Sequence, residues 1–97
     1  MKRYKITISD EAIKNMDDLY NYIAYVLLEP KYALNQYNRI AYAILELDLM
    51  PERYSKFNDR KELRRMVVDN YSVFYFIKGD EVIITNVLYS AMNVFKH

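Results

Sequence analysis

The side chains of this chain that could do chemistry are mostly basic. Fourteen lysines and arginines, one histidine and no cysteine are spread over 97 residues. Six of the fourteen, Arg53, Lys56, Arg60, Lys61, Arg64 and Arg65, fall in residues 51–65, against three acidic residues there. A cluster of this kind is either a solvated loop or a binding patch; Arg53, Arg60, Lys61, Arg64 and Arg65 are its candidate contact residues. Arg64 and Arg65 are adjacent in an extended stretch, so they face opposite ways. One is expected on an open sheet face, the other beside a helix carboxylate such as Asp17 or Asp18. Tyr89 closes an apolar stretch and serves either as a functional tyrosine or as strand-end packing. His97 has acid–base chemistry but is the last residue of the chain, where ends fray.

Other chemistries are excluded or weakly supported. Without cysteine there is no disulfide, thiolate nucleophile or cysteine-ligated zinc. Asp10, Glu11, Asp17 and Asp18 show no metal-ligand spacing with histidine and read as helix-capping and solvated-face residues. A single glycine, Gly79, rules out a glycine-rich phosphate loop. Met50, Met66 and Met92 read as core filler or interface. No cofactor, metal or small-molecule ligand is expected. A net charge of +1 points to neither nucleic acid nor membrane. No apolar run approaches the ~20 residues of a membrane span. The charged, alternating start MKRYKITISDE is unlike a signal peptide, so the expected location is cytoplasmic.

The elements that must position these residues are clearest at the C-terminal end. Residues 63–68, 71–77 and 82–89 are rich in valine, isoleucine, tyrosine and phenylalanine, the chemistry of strands. Asp69-Asn70 suits a two-residue turn, since both tolerate the left-handed backbone, and Gly79 marks the second turn. Links this short demand antiparallel pairing. In the middle strand Tyr71, Val73, Tyr75 and Ile77 share one face, and Ser72, Phe74, Phe76 and Lys78 the other. Both faces are apolar at their centre. Helices cover only one, so Phe74 and Phe76, or their opposites, need the C-terminal tail, a bent sheet or a partner to cover them.

Upstream, Tyr4 to Ser9 alternates as a half-buried strand, and Ser9 offers a helix N-cap followed by Asp10 and Glu11. Ala12, Ile13, Met16, Leu19, Tyr20, Ile23, Ala24 and Leu27 then mark a helical buried stripe. Glu29-Pro30 ends that helix. Ala33, Leu34, Tyr37, Ile40, Ala41, Ile44 and Leu45 mark a second stripe, which Pro51 stops. The short connection implies an antiparallel helix pair, and residues 51–62 a polar loop. The expected fold is one α+β domain over residues 1–97: an antiparallel sheet with an N-terminal helical hairpin on one face, in the order β-α-α-β-β-β.

That order, with four local strings, resembles the RelE/ParE superfamily of toxins from bacterial type II toxin–antitoxin pairs. Tyr4 to Ala12 looks like the family's first strand and helix entry. Asp18-Leu19-Tyr20-Asn21-Tyr22-Ile23 is similar to the middle of the first helix in ParE-like members. Met50-Pro51-Glu52-Arg53-Tyr54 resembles the "FPERY" string, and Arg64 to Tyr75 the "R-R-L-V-V-G-N-Y-x-V-F-Y" hairpin. The resemblance implies a toxin silenced by a cognate antitoxin protein. Its target would be DNA gyrase, as in ParE-like members, or ribosome-bound mRNA, as in RelE-like endoribonucleases. The resemblance implies an antitoxin segment that wraps the helices and sheet, which fits the two-faced apolar sheet; Tyr71, Phe74 and Phe76 join the basic cluster as candidate target- or antitoxin-binding residues.

RNA cleavage by 2′-hydroxyl attack needs proton transfer and cations around the phosphate. The RelE branch supplies arginines after the hairpin tyrosine and beyond the last strand. Here those places read Ser72 and Ser90-Ala91-Met92. What remains for catalysis is Arg64, Arg65 and Tyr89, with His97. The departure favours the ParE-like branch, with RNA cleavage, or a degenerate toxin that only binds antitoxin, as the alternatives.

Overall fold

The computed structural model describes residues 1–57 and 62–91. Four strands, β1 (Lys5–Ile8), β2 (Arg64–Val68), β3 (Tyr71–Lys78) and β4 (Glu81–Tyr89), form one sheet in the order β1-β4-β3-β2. Two helices, α1 (Asp10–Asn21) and α2 (Pro30–Leu45), fill the chain between β1 and β2. The element order is the β-α-α-β-β-β expected from the sequence. Both hairpin turns fall where expected: Asp69 at φ 55° and Gly79 at φ 59° adopt the left-handed backbone. The sheet is mixed, however. β2, β3 and β4 are antiparallel, but β1 lies parallel beside β4, with Ile6 opposite Val82. The helical hairpin gives the chain enough length to cross back and enter in parallel.

α1 starts at Ser9 for the reason read from the sequence. The Ser9 hydroxyl accepts the Ala12 amide at 3.1 Å and donates to the Thr85 carbonyl at 3.0 Å. One side chain thus caps the helix and ties it to β4. Thr85 is the extra residue of a β-bulge, where the ladder shifts between Phe74 and Tyr75. Asn15 repairs the damage from α1, its Oδ1 accepting the Val87 amide at 3.0 Å.

The core lies between the sheet and one side of the helices. Ala12, Met16, Ile40, Ile44 and Leu47 meet Met66, Val73, Tyr75, Val82, Ile84 and Val87 there. Four residues assigned to the buried stripes face solvent instead: Ile13, Leu27, Leu34 and Leu45. Ile13, Leu34 and Leu45 sit at the stripe margins, and a two-layer domain covers only one side of each helix. Leu27 has a separate cause. Residues Tyr22–Val26 form a π-helical turn, in which the Leu27 amide bonds the Tyr22 carbonyl five residues back. The extra residue per turn breaks the 3.6-residue period and rotates Leu27 outward. The helical path then closes at Leu28, at φ 58°, with the Glu29 amide reaching the Ile23 carbonyl at 3.0 Å.

Gln36, on α2, is the polar residue that the stripe analysis missed. It is 2% exposed, and its amide donates to Asp69 Oδ2 at 3.0 Å. Arg39 grips both oxygens of the same carboxylate. The Arg39 guanidinium, then the Gln36 amide, hold the Asp69 carboxyl below its usual range. Their stabilisation is therefore full above the ordinary carboxylate pKa of about 3.9 and is lost as pH falls through the lower folded value. Asp69→Ala should cost about 2–3 kcal/mol, from the orphaned Gln36 amide and the loss of the short polar side chain that makes left-handed backbone tolerable. Asp69→Asn, which keeps an acceptor and tolerates the turn, should cost about 1 kcal/mol. Urea unfolding at pH 7 and pH 3 checks both: the wild type should lose stability toward acid, and Asp69→Asn should lose less.

Candidate functional site

The outer sheet face, away from the helices, carries Arg65. Its Nε donates to Ser72 Oγ at 3.0 Å, and Ser72 Oγ lies 2.8 Å from Ser90 Oγ. Ser72, which stands where one arginine was sought, is thus joined to Ser90 in one hydroxyl pair, with Arg65 at its end. Phe57 folds over this face. Its ring stands edge-on to Phe74 at 5.0 Å, and the Arg65 guanidinium sits 5.8 Å from it. Phe74 is consequently only 5% exposed, and its cover includes a segment of its own chain. Phe76 remains half-buried, opposite Ile83. Val67, on the same face at the β2 edge, is exposed.

Arg64 points the other way, as alternation requires, but its partners are not helix carboxylates. It donates to the backbone carbonyls of Tyr54 at 2.6 Å and Glu52 at 3.2 Å. Asp18 pairs instead with Lys14 at 3.0 Å. Arg53 folds back on the Leu49 and Met50 carbonyls, with its guanidinium over the Tyr54 ring. Both arginines clamp the 3₁₀ turn Pro51–Arg53 in place. The polar loop read from the sequence is therefore built, over its first half, from backbone carbonyls held by cations. Arg60, Lys61 and His97 lie outside the described residues.

Arg64, Arg65 and Tyr89 do not converge. Arg64 and Arg65 occupy opposite faces. Tyr89 pairs with Tyr71 at one end of β3, whereas Arg64 pairs with Tyr75 four residues along. At the usual strand rise that separation is about 13 Å. Among the described residues no group of three or more His, Cys, Asp or Glu side chains could hold a metal ion.

Tyr71 and Tyr89 instead help to line a concavity that sequence reasoning missed. It has a volume of about 730 Å³ and lies between the end of α1, the π turn and the ends of β3 and β4. Tyr22, Tyr32, Tyr71 and Tyr89 line it, with Asp18 and Asn70. Tyr71 and Tyr89 meet edge-to-face at 5.7 Å. Burial, then the neighbouring phenols of Tyr32, Tyr89 and Tyr22, raise the Tyr71 hydroxyl above its ordinary pKa, so it is neutral at physiological pH. Beyond the rim, Tyr25, Val26, Leu27 and Leu28 expose a continuous apolar tip. The signal in the sequence was Tyr22 to Leu28, seven uncharged residues in a row where a surface helix would alternate.

A sequence-family model described as the ParE toxin of the type II toxin–antitoxin system, parDE, matches residues 6–94. The chain belongs to the ParE toxin family. Solved structures agree on the fold. A chain of the chromosomal ParDE system of P. aeruginosa superposes with a TM-score of 0.80 at 18% identity, covering 90% of this chain and 96% of that one. A chain of the RelBE2 toxin–antitoxin complex of Mycobacterium tuberculosis gives 0.65 at 19% identity, covering 95% and 97%. A conserved hypothetical protein of Helicobacter pylori gives 0.58 at 18% identity, covering 89% and 93%. No curated protein sequence matches the chain. No helix among the described residues is long and apolar enough to cross a membrane.

Proposed function

We propose that this ParE-family chain is a growth-inhibiting toxin that acts by binding its target, DNA gyrase, and is neutralised by a cognate antitoxin. The observation that carries the reading is the family match over residues 6–94. The separation of Arg64, Arg65 and Tyr89 supports binding over cleavage. A phosphate at the Arg65–Ser72–Ser90 chain meets one guanidinium and two neutral hydroxyls, a weak setting for a developing dianionic charge. The antitoxin's docking region in this reading is the exposed tip, Tyr25 to Leu28, four successive apolar side chains left in water.

The test runs two assays on the purified chain. DNA supercoiling by gyrase should be inhibited, and added cognate antitoxin should restore it. Cell-free translation, in parallel, should proceed with full-length transcripts. Intact supercoiling together with cut, ribosome-bound mRNA would replace this reading with RNA cleavage. Intact supercoiling and intact mRNA would leave a chain that only binds antitoxin.

A further inference from the structure

The cavity at the hairpin mouth is chemically one-sided. Four phenol rings and the Asp18 carboxylate line it, and among the described residues no lysine or arginine does. Tyr22, Tyr32 and Tyr89 are each about half exposed, so ring faces remain open. An aromatic face carries negative potential and attracts cations, more strongly where water is partly excluded. The cations nearby are already placed. Arg39 senses Tyr32 but is held by both carboxylate oxygens of Asp69. Lys14 touches Asp18 through Oδ2 only, in an exposed pair within one helix, an arrangement that is weak and readily exchanged. The second Asp18 oxygen makes no hydrogen bond among the described residues.

We propose that this cavity receives an arginine side chain from the partner protein, its guanidinium against the tyrosine rings and bonded to Asp18. Arginine suits the site better than lysine: its planar head stacks on rings while its edge donates to a carboxylate. Leu27 lines the cavity and also belongs to the apolar tip. The arginine is therefore carried on a segment whose neighbouring apolar side chains cover Tyr25, Val26 and Leu28. The occupant's identity as a partner chain rests on the toxin–antitoxin reading; the cation preference of the cavity does not.

The test uses N-acetylarginine amide, with N-acetylnorleucine amide as an uncharged aliphatic probe, titrated into the purified chain. Ring signals of Tyr22, Tyr32, Tyr71 and Tyr89 are followed by nuclear magnetic resonance. The arginine probe should shift these signals saturably, and at least ten-fold more tightly than the norleucine probe. Asp18→Asn should weaken the arginine probe about five-fold and leave the norleucine probe unchanged. Equal affinity for the two probes, no shift with either, or an Asp18→Asn chain that binds arginine amide undiminished would each overturn the proposal. Because neither probe involves gyrase or antitoxin, a failure here leaves the supercoiling result standing. Probe binding alongside unaffected gyrase would remove the gyrase reading alone.

Discussion

Leu28→Gly should make the fold more stable and its complex with the cognate antitoxin weaker. Leu28 holds φ 58° with 76% of its surface exposed. Left-handed backbone costs a residue with a Cβ about 1–2 kcal/mol. Glycine removes that cost but gives back about 0.5–1 kcal/mol through the larger freedom of the unfolded chain. The net gain should be about 0.5–1 kcal/mol in urea unfolding. A chain that keeps a strained, solvated leucine where glycine is better suggests that the side chain serves something other than the fold. Calorimetric titration with the antitoxin should show affinity lowered about ten-fold, or about 1.4 kcal/mol. Leu28→Asn, which also tolerates the geometry, should behave in the same way. A stabilised variant with unchanged affinity would remove the tip from the interface.

The largest loss of stability should come from Tyr75. Its ring is fully buried between sheet and helices, and its hydroxyl donates to the Pro51 carbonyl at 2.6 Å. That bond anchors the same 3₁₀ turn that Arg53 and Arg64 clamp from outside. Tyr75→Phe keeps the ring but leaves a buried carbonyl unpaired, at a cost of about 1–3 kcal/mol. Tyr75→Ala adds a cavity and should cost about 3–5 kcal/mol. Against a typical total stability of about 5–15 kcal/mol, that leaves a domain of this size barely folded. Burial pushes the Tyr75 hydroxyl up to about 12. Stability is therefore unaffected below the ordinary tyrosine value of about 10 and falls as pH rises from there toward 12. Urea midpoints at pH 7, 9 and 11 should drop at pH 11 in the wild type and less steeply in Tyr75→Phe.

Both effects turn on the segment between elements more than on the elements themselves. Arg53, Arg64 and Tyr75 all serve the Pro51 turn, which seats Phe57 over Phe74 on the far face of the sheet. A toxin surface on that face would thus be partly built by its own loop. Among the described residues, its open part is Val67, with Arg65, Phe76 and Ser90 partly exposed around it.

The sequence by itself determined the elements, their order and the two hairpins. These are local properties: Ser9 caps, Asp69 and Gly79 turn, and the alternation from Tyr71 to Ile77 declares a strand whatever it packs against. The string from Arg64 to Tyr75 carried the family likeness for the same reason. Three things waited on the tertiary structure. The parallel docking of β1 depends on β4, nearly eighty residues away. The roles of Arg53 and Arg64 depend on which carbonyls the fold brings within reach. The tyrosine cavity depends on a π turn whose extra residue shifts the helix out of the period by which buried faces are read. Periodicity reports only neighbours within a few residues, whereas each of these is fixed by partners distant in the chain or by a break in the period itself.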